Sequence, residues 1–157
     1  FEEAIECIYE EDIIESPVHL SIGQELVSVL AGLNANHQDV IIGNYRSHAL
    51  TMAVSQDRIG MINELCASVK GTYAGRAGSM HLGDPNANMP WTSAIVGSGV
   101  PVAAGVAQAC KWDNQGAISV CMFGDGAIEE GGVLETLNLA SSKELPLLMI
   151  IEDNGLA

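Results

Sequence analysis

Apolar residues recur along this chain at two spacings, and each spacing predicts a different element. A recurrence every three or four positions is typical of an amphipathic helix, whereas a short uninterrupted apolar run is typical of a buried strand. We therefore expect strands over residues 40–42, 118–123 and 147–151. We expect helices over residues 1–15, 23–36, 58–69, 99–112 and 129–142, and a short one that ends near Ser55. In the second helix the apolar residues that share one face are Leu26, Val27, Leu30 and Leu33.

The last three of these elements predict the fold class. A strand, a helix and a second strand, over residues 118–151, form a βαβ unit. Such a unit crosses over right-handed and makes its two strands parallel. We therefore expect an α/β fold, with a parallel sheet flanked by helices.

Residues 71–92 contain many turn-forming residues and almost no apolar periodicity, so we expect a long loop there. Loops of this length in a compact domain are usually functional or disordered. The glycine-rich stretch at residues 97–105 is only a weak match to a dinucleotide-binding loop, because no acidic residue follows it in a clear strand at the required distance. We interpret it as the start of a tightly packed helix.

The composition narrows the class of protein. The chain has 157 residues, of which 48% are hydrophobic, and this is enough for one domain with a real core. Six basic and twenty acidic residues give a net charge of −14, which argues against binding to nucleic acid. No apolar run approaches the roughly 20 residues of a membrane helix, and the N-terminus does not resemble a signal peptide. The chain begins within a helix and ends within a loop, so we expect a single domain over residues 1–157 that is incomplete at both ends.

The four cysteines are not arranged as metal ligands. No two of them form a CxxC pair, and they lie in apolar or helical patterns at Cys7, Cys66, Cys110 and Cys121. We expect reduced thiols in the core of a cytosolic-type protein.

Two polar residues follow the last two predicted strands. Asp125 stands between two glycines after the first of these strands, and Asn154 follows the second. Ligands of parallel sheets bind beyond the carboxyl ends of the strands, so both side chains belong to the same rim. Carboxylate and amide oxygens are ligands that suit Mg²⁺. The pair therefore indicates a diphosphate held through a divalent cation, although a Gly-Asp-Gly sequence alone can also be an ordinary turn.

Five further motifs occur in order along nearly the whole chain. They are HLSIGQE (19–25), NYRSH (44–48), GRAGSMHL (75–82), AIVGSGVPVAAGVAQACK (94–111) and GDGAIEEG (124–131). Together with Asp153-Asn154, they resemble the motifs of the alpha-type subunit of thiamine diphosphate-dependent 2-oxo acid and acetoin dehydrogenases. The family usually has Asn at the position of Asp153, and the presumed metal ligand is the next residue, Asn154.

The resemblance implies a set of site residues. The metal ligands of Mg²⁺ would be Asp125, Asn154 and the backbone carbonyl of Leu156. The diphosphate would contact Tyr45 and Arg46, and also the backbone around Gly124, Gly126 and Ala127. The aminopyrimidine ring would contact the backbone near Ala94 and Val96, and many relatives have Gly at the first of these positions.

The resemblance also implies a role for three histidines. His19, His48 and His81 each lie in a matched motif, and family members use histidines near the thiazolium to bind substrate and move protons. Histidine suits this work because its pKa lies near neutrality. A hydrogen-bonded structural histidine remains the alternative for each of them.

The activity implied by the resemblance needs partners. It is the oxidative decarboxylation of a 2-oxo acid, or the cleavage of acetoin, with acyl transfer to a lipoyl-bearing acyltransferase. A beta-type subunit would supply the activating Glu, in an α₂β₂ assembly located in the cytoplasm or the mitochondrial matrix. Two alternatives stay open: a subunit of a split transketolase-like two-carbon transferase, and a non-catalytic α/β nucleotide-binding module.

Overall fold

The computed structural model describes residues 1–156 of the chain. In this part it contains three strands, β1 (Val40–Ile42), β2 (Ser119–Gly124) and β3 (Leu147–Glu152). The helices are α1 (Glu2–Glu10), α2 (Glu25–Asn34), α3 (His48–Ser55), α4 (Arg58–Leu65), α5 (Gly99–Asp113) and α6 (Gly131–Lys143). Short 3₁₀ turns occupy Ser79–His81, Pro85–Ala87 and Asp125–Glu129.

The three strands form one parallel sheet in the order β1-β2-β3. Val40 pairs with Ser119 at one end of the sheet, and Gly124 pairs with Glu152 at the other. The βαβ unit predicted from the sequence is therefore confirmed, and the α/β class with it. Because all three strands run in the same direction, their carboxyl ends lie along one edge of the sheet.

Each face of the sheet carries its own apolar core. On one face α5 and α6 pack against residues that include Ile42, Cys121 and Phe123. On the other face the core contains Ile41, Val120 and Met122 together with residues of α2 and α3. Alternate residues of each strand point to opposite faces, so a strand covered on both sides is apolar at nearly every position.

A buried carboxylate shapes the long loop after α4. The Glu64 side chain is fully buried and accepts hydrogen bonds from the backbone amides of Tyr73 (2.8 Å), Gly75 (3.0 Å) and Ala77 (2.7 Å). These contacts hold residues 71–78 against α4 without a helix or a strand. The loop prediction is correct for most of this region, but two 3₁₀ turns interrupt it.

The face of α2 that packs inward is not its apolar face. Leu26 and Leu33 are each 70% exposed, and Leu30 is 50% exposed. Ser28 is buried instead, and a Cβ atom on Gly32 would lie only 2.7 Å from the Cβ of Ala53 on α3. The small residues of α2 thus allow its close approach to α3, and this turns the leucines of the helix outward.

Three other details differ from the sequence-based expectation. The first helix ends at Glu10 and the fourth at Leu65, so both are shorter than predicted. After β2 a 3₁₀ turn that contains Gly126 and Ala127 comes before α6, so this helix begins at Gly131 instead of residue 129. All four cysteines are free, and Cys121 is buried, but Cys7 is exposed and does not belong to the core.

Within residues 1–156 no helix has both the length and the hydropathy needed to cross a membrane.

Candidate functional site

A cavity of about 300 Å³ lies at the edge where the three strands end. The segment after β1 contributes Tyr45 and Arg46, and the turn after β2 contributes Gly124 to Ala127. The segment after β3 contributes Asn154 and Leu156, next to Glu152 at the end of the strand itself. The parallel sheet therefore brings together residues that lie more than a hundred positions apart in the sequence.

Nine of the ten residues for which a cofactor contact was expected line this cavity. They are Tyr45, Arg46, Val96, Gly124, Asp125, Gly126, Ala127, Asn154 and Leu156. The tenth, Ala94, is half-buried and lies outside the lining, although its neighbours Ser93 and Ile95 belong to it. A Cβ atom on Gly124 would meet no protein atom within 4 Å, so this glycine leaves the cavity open beside Asp125.

Arg46 is the only cation among the described residues of the cavity lining. Its Nη1 donates a hydrogen bond of 2.6 Å to the carbonyl oxygen of Leu20, and its backbone N–H donates one of 2.7 Å to Asn44 Oδ1. The guanidinium carbon lies 6.0 Å from the centre of the Tyr45 ring. A guanidinium has five N–H donors, so one contact to Leu20 leaves others for an anionic ligand.

The oxygen atoms around Asp125 and Asn154 fit a hard divalent cation. Asp125 starts the turn after β2, and the strand residues before the two segments, Gly124 and Glu152, are paired in the sheet. Asn154 Oδ1 accepts a hydrogen bond from the backbone N–H of Leu156, which folds the segment after β3 into a turn. No cluster of three or more His, Cys, Asp or Glu side chains suited to a metal occurs within residues 1–156. A cation here would therefore need amide, carbonyl and ligand oxygens beside one carboxylate, and Mg²⁺ accepts such a set.

The structure places the three candidate histidines in different surroundings, and none of them lines the described part of the cavity. His19 packs edge-on against the Tyr45 ring, with 4.7 Å between ring centres. Burial lowers the pKa of His19, and the charges of Arg46 and His48 lower it further. His81 is exposed, and its Nδ1 lies 3.1 Å from the carbonyl oxygen of Thr92.

His48 is completely buried between two polar side chains. Its Nε2 lies 2.8 Å from Ser79 Oγ, within hydrogen-bond distance. Its Nδ1 lies 3.1 Å from Glu2 Oε1, but this contact is poorly aligned for a hydrogen bond. The Glu2 carboxylate also accepts two hydrogen bonds, of 2.8 and 2.9 Å, from the backbone N–H of Ser21. His48 thus connects the segments that carry three of the sequence motifs.

Four polar residues of the cavity were not singled out from the sequence: Gln24, Asn44, Ser93 and Glu152. Gln24 and Asn44 lie inside the motifs HLSIGQE and NYRSH, and their place in these motifs was the available signal. Glu152 ends an apolar strand, where a carboxylate is unusual, and it is only 8% exposed. Burial raises the pKa of Glu152, while the hydrogen bond from Asn44, the charge of Arg46 and the Ser28 hydroxyl oppose that rise.

Comparisons with known proteins agree on one family. The family model described as "Dehydrogenase E1 component" matches residues 1–157, the whole chain. The chain is 34% identical, over its full length, to the alpha subunit of acetoin:2,6-dichlorophenolindophenol oxidoreductase of Cupriavidus necator, of which it covers 47%. It is 38% identical to the pyruvate dehydrogenase E1 component subunit alpha of Zymomonas mobilis, again over the full chain and 45% of that protein. Over 94% of the chain and 37% of the relative, it is 33% identical to the somatic, mitochondrial form of the same subunit of Homo sapiens. The chain thus spans less than half the length of these relatives.

Proposed function

The chain belongs to the dehydrogenase E1 component family, and on this basis we propose that residues 1–157 form the diphosphate- and metal-binding domain of an alpha-type subunit that uses thiamine diphosphate and Mg²⁺. The observation that carries the proposal is the cavity at the ends of three parallel strands, which is lined by one arginine, one Asp-containing glycine turn and one Asn-containing turn. A diphosphate with its cation matches this combination of charges.

Different residues of the cavity would bind the metal ion and the diphosphate of the cofactor. Asp125, Asn154 and the carbonyl of Leu156 would bind Mg²⁺, and Arg46 would bind the diphosphate. The backbone of Gly126 and Ala127 would donate hydrogen bonds to phosphate oxygens, since Gly124 leaves space for a close approach. When bound, thiamine diphosphate supplies the stabilised carbanion that allows a bond next to a carbonyl group to be cleaved.

Other residues would orient the cofactor and the substrate. Val96 lines the cavity, and Ala94 lies between the lining residues Ser93 and Ile95, which supports a role for the backbone of this segment in holding an aminopyrimidine ring. Of the three candidate histidines, His19 and His81 are at least partly exposed, so we propose these two for contact with the substrate. Burial lowers the pKa of His19, which favours the neutral form of the ring, the form that accepts a proton.

The reaction of the whole protein is part of the same proposal. It is the oxidative decarboxylation of a 2-oxo acid or the cleavage of acetoin, and the names of the Zymomonas and Cupriavidus relatives support these two substrate classes. Because the relatives are alpha subunits, we include a beta-type subunit in an α₂β₂ assembly and a lipoyl-bearing acyltransferase as acceptor of the acyl group. A cytoplasmic or mitochondrial-matrix location completes the proposal.

The test is a titration with thiamine diphosphate, with and without Mg²⁺, on the protein as it is isolated together with any chain that co-purifies. Removal of the carboxylate in Asp125→Ala should weaken Mg²⁺-dependent binding by at least about tenfold. Asp153→Asn is the matched control, because Asn retains the Oδ1 atom that accepts the backbone N–H of Gly155, and it should bind as the wild type does. Binding that is independent of Mg²⁺ and of Asp125 would rule out the proposal.

A further inference from the structure

The side chain of Asn44 connects two segments of the cavity wall. Its Oδ1 accepts the backbone N–H of Arg46 at 2.7 Å, and its Nδ2 donates to Glu152 Oε2 at 3.2 Å. The carbonyl oxygen of Asn44 also accepts a hydrogen bond from Ser47 Oγ. One amide group therefore joins the end of β3 to the backbone of the arginine that faces the cavity.

Glu152 is an unexpected residue at an anion-binding cavity. Only 8% of Glu152 is exposed. A carboxylate at this position would repel a diphosphate in the cavity. Its Oε1 atom and the Ser28 Oγ atom of α2 are both buried without a hydrogen-bond partner of acceptable geometry. A carboxylate is costly to bury, and the hydrogen bond of acceptable geometry that offsets this cost comes from Asn44 Nδ2.

We propose that Glu152 and Asn44 form a positioning pair that sets the Tyr45–Arg46 segment for binding of a diphosphate; this inference rests on the proposed function. The carboxylate accepts only, so it orients the Asn44 amide with its nitrogen toward β3 and its oxygen toward Arg46. The oriented oxygen fixes the Arg46 backbone, while the Leu20 carbonyl fixes the guanidinium. The remaining guanidinium N–H groups are then available to the cavity.

Positioning and simple electrostatics predict opposite results for two substitutions of Glu152. If the carboxylate were only a repelling neighbour, both Glu152→Ala and Glu152→Gln would strengthen the binding of an anion. If it positions Asn44, Glu152→Ala weakens binding, whereas Glu152→Gln rescues it because the amide oxygen of Gln still accepts the hydrogen bond from Asn44 Nδ2.

The experiment measures calorimetric binding of inorganic pyrophosphate with Mg²⁺ to the protein as isolated with any co-purifying chain. We expect Glu152→Ala and Asn44→Ala each to weaken binding about tenfold, and the double variant to weaken it about tenfold instead of a hundredfold, because coupled residues are not additive. Glu152→Gln should stay within about threefold of the wild type. Asn44 lies in a half-exposed loop, so its variant tests the pair even if Glu152→Ala does not fold. Glu135→Ala, an exposed site on α6, is the control.

The outcomes separate this inference from the function on which it rests. No pyrophosphate binding by the wild type overturns the proposed function and this inference together. Wild-type binding that Glu152→Ala or Asn44→Ala leaves unchanged or strengthens overturns the positioning pair alone. A double variant that binds pyrophosphate about a hundredfold more weakly than the wild type also overturns it. The two effects would then multiply, as they do for independent sites whose free-energy contributions add.

Discussion

Cys121 and Cys7 differ in both properties that control the reactivity of a thiol. Cys121 is completely buried under α5, and burial raises its pKa to about 12, whereas Cys7 is exposed on α1. At pH 8 only roughly one Cys121 in 10⁴ is therefore a thiolate. We expect iodoacetamide to label Cys7 in the folded protein and to leave Cys121 unmodified, with the sites located by mass spectrometry of the peptides.

Unfolding provides the control for this experiment. In denaturant both cysteines should react at similar rates, because burial no longer suppresses the thiolate of Cys121. Equal labelling of the two thiols in the native protein would contradict the buried position of Cys121 in the sheet.

At the scale of residues, the sequence predicted the cavity better than the polar contacts around it. Asp125, Asn154 and Arg46 could be predicted to lie together at one edge of the sheet, because each of them follows an apolar run or lies in a quoted motif. The contact between Asn44 and Glu152 could not, because the two residues are 108 positions apart and no local pattern encodes their approach. The burial of His48 could not be predicted from the sequence either, because it depends on contacts with Glu2 and Ser79 in other segments.

Helix α4 and the loop after it depend on one carboxylate. Glu64 accepts three backbone N–H groups, and a Cβ atom on Gly71 would collide with its Oε2. Glu64→Ala would leave three amides without their acceptor, and we expect a loss of about 2–4 kcal/mol in the free energy of unfolding. Glu64→Gln should lose about half as much, because one oxygen remains to accept. Denaturant unfolding measures both values.

A second readout shows where this loss arises. In Glu64→Ala the segment 71–78 should become the first site of limited proteolysis, while Glu135→Ala on the exposed side of α6 should change neither stability nor cleavage. If Glu64→Ala were as stable as the wild type, the loop would have to be held by contacts other than this carboxylate.

At the scale of elements, periodicity predicted the presence of helices and strands but not which faces they bury. The strands and α5 agree with the expectation within about two residues, because their patterns are long or strongly apolar. The inward face of α2 was misjudged, since close packing of Gly32 on Ala53 outweighs the burial of its leucines. Residues 71–78 are held by hydrogen bonds to the Glu64 side chain. The turn-forming residues of this segment do not predict such a tertiary contact.

At the scale of the whole molecule, several elements of the described residues expose large apolar side chains, and contiguous patches of such side chains mark contact surfaces. Besides the leucines of α2, they include Leu134, Leu137, Leu139, Leu148 and Ile151 on α6 and β3. The curated relatives are more than twice as long as this chain. These surfaces are therefore expected to contact other parts of the assembled protein.

The two most exposed leucines of α2 test this expectation. In the protein as isolated, replacing Leu26 and Leu33 together by Gln should lower Tm by more than about 4 °C, because a covered apolar face loses contacts that the described residues alone do not contain. Val69→Gln is the matched control: Val69 is 82% exposed in a loop, and a solitary exposed apolar residue should change Tm by less than about 2 °C. Differential scanning calorimetry of the three proteins measures the contrast. Equal Tm values for the double variant and the wild type would contradict this expectation, because they would mean that the leucines of α2 face water in the assembled protein.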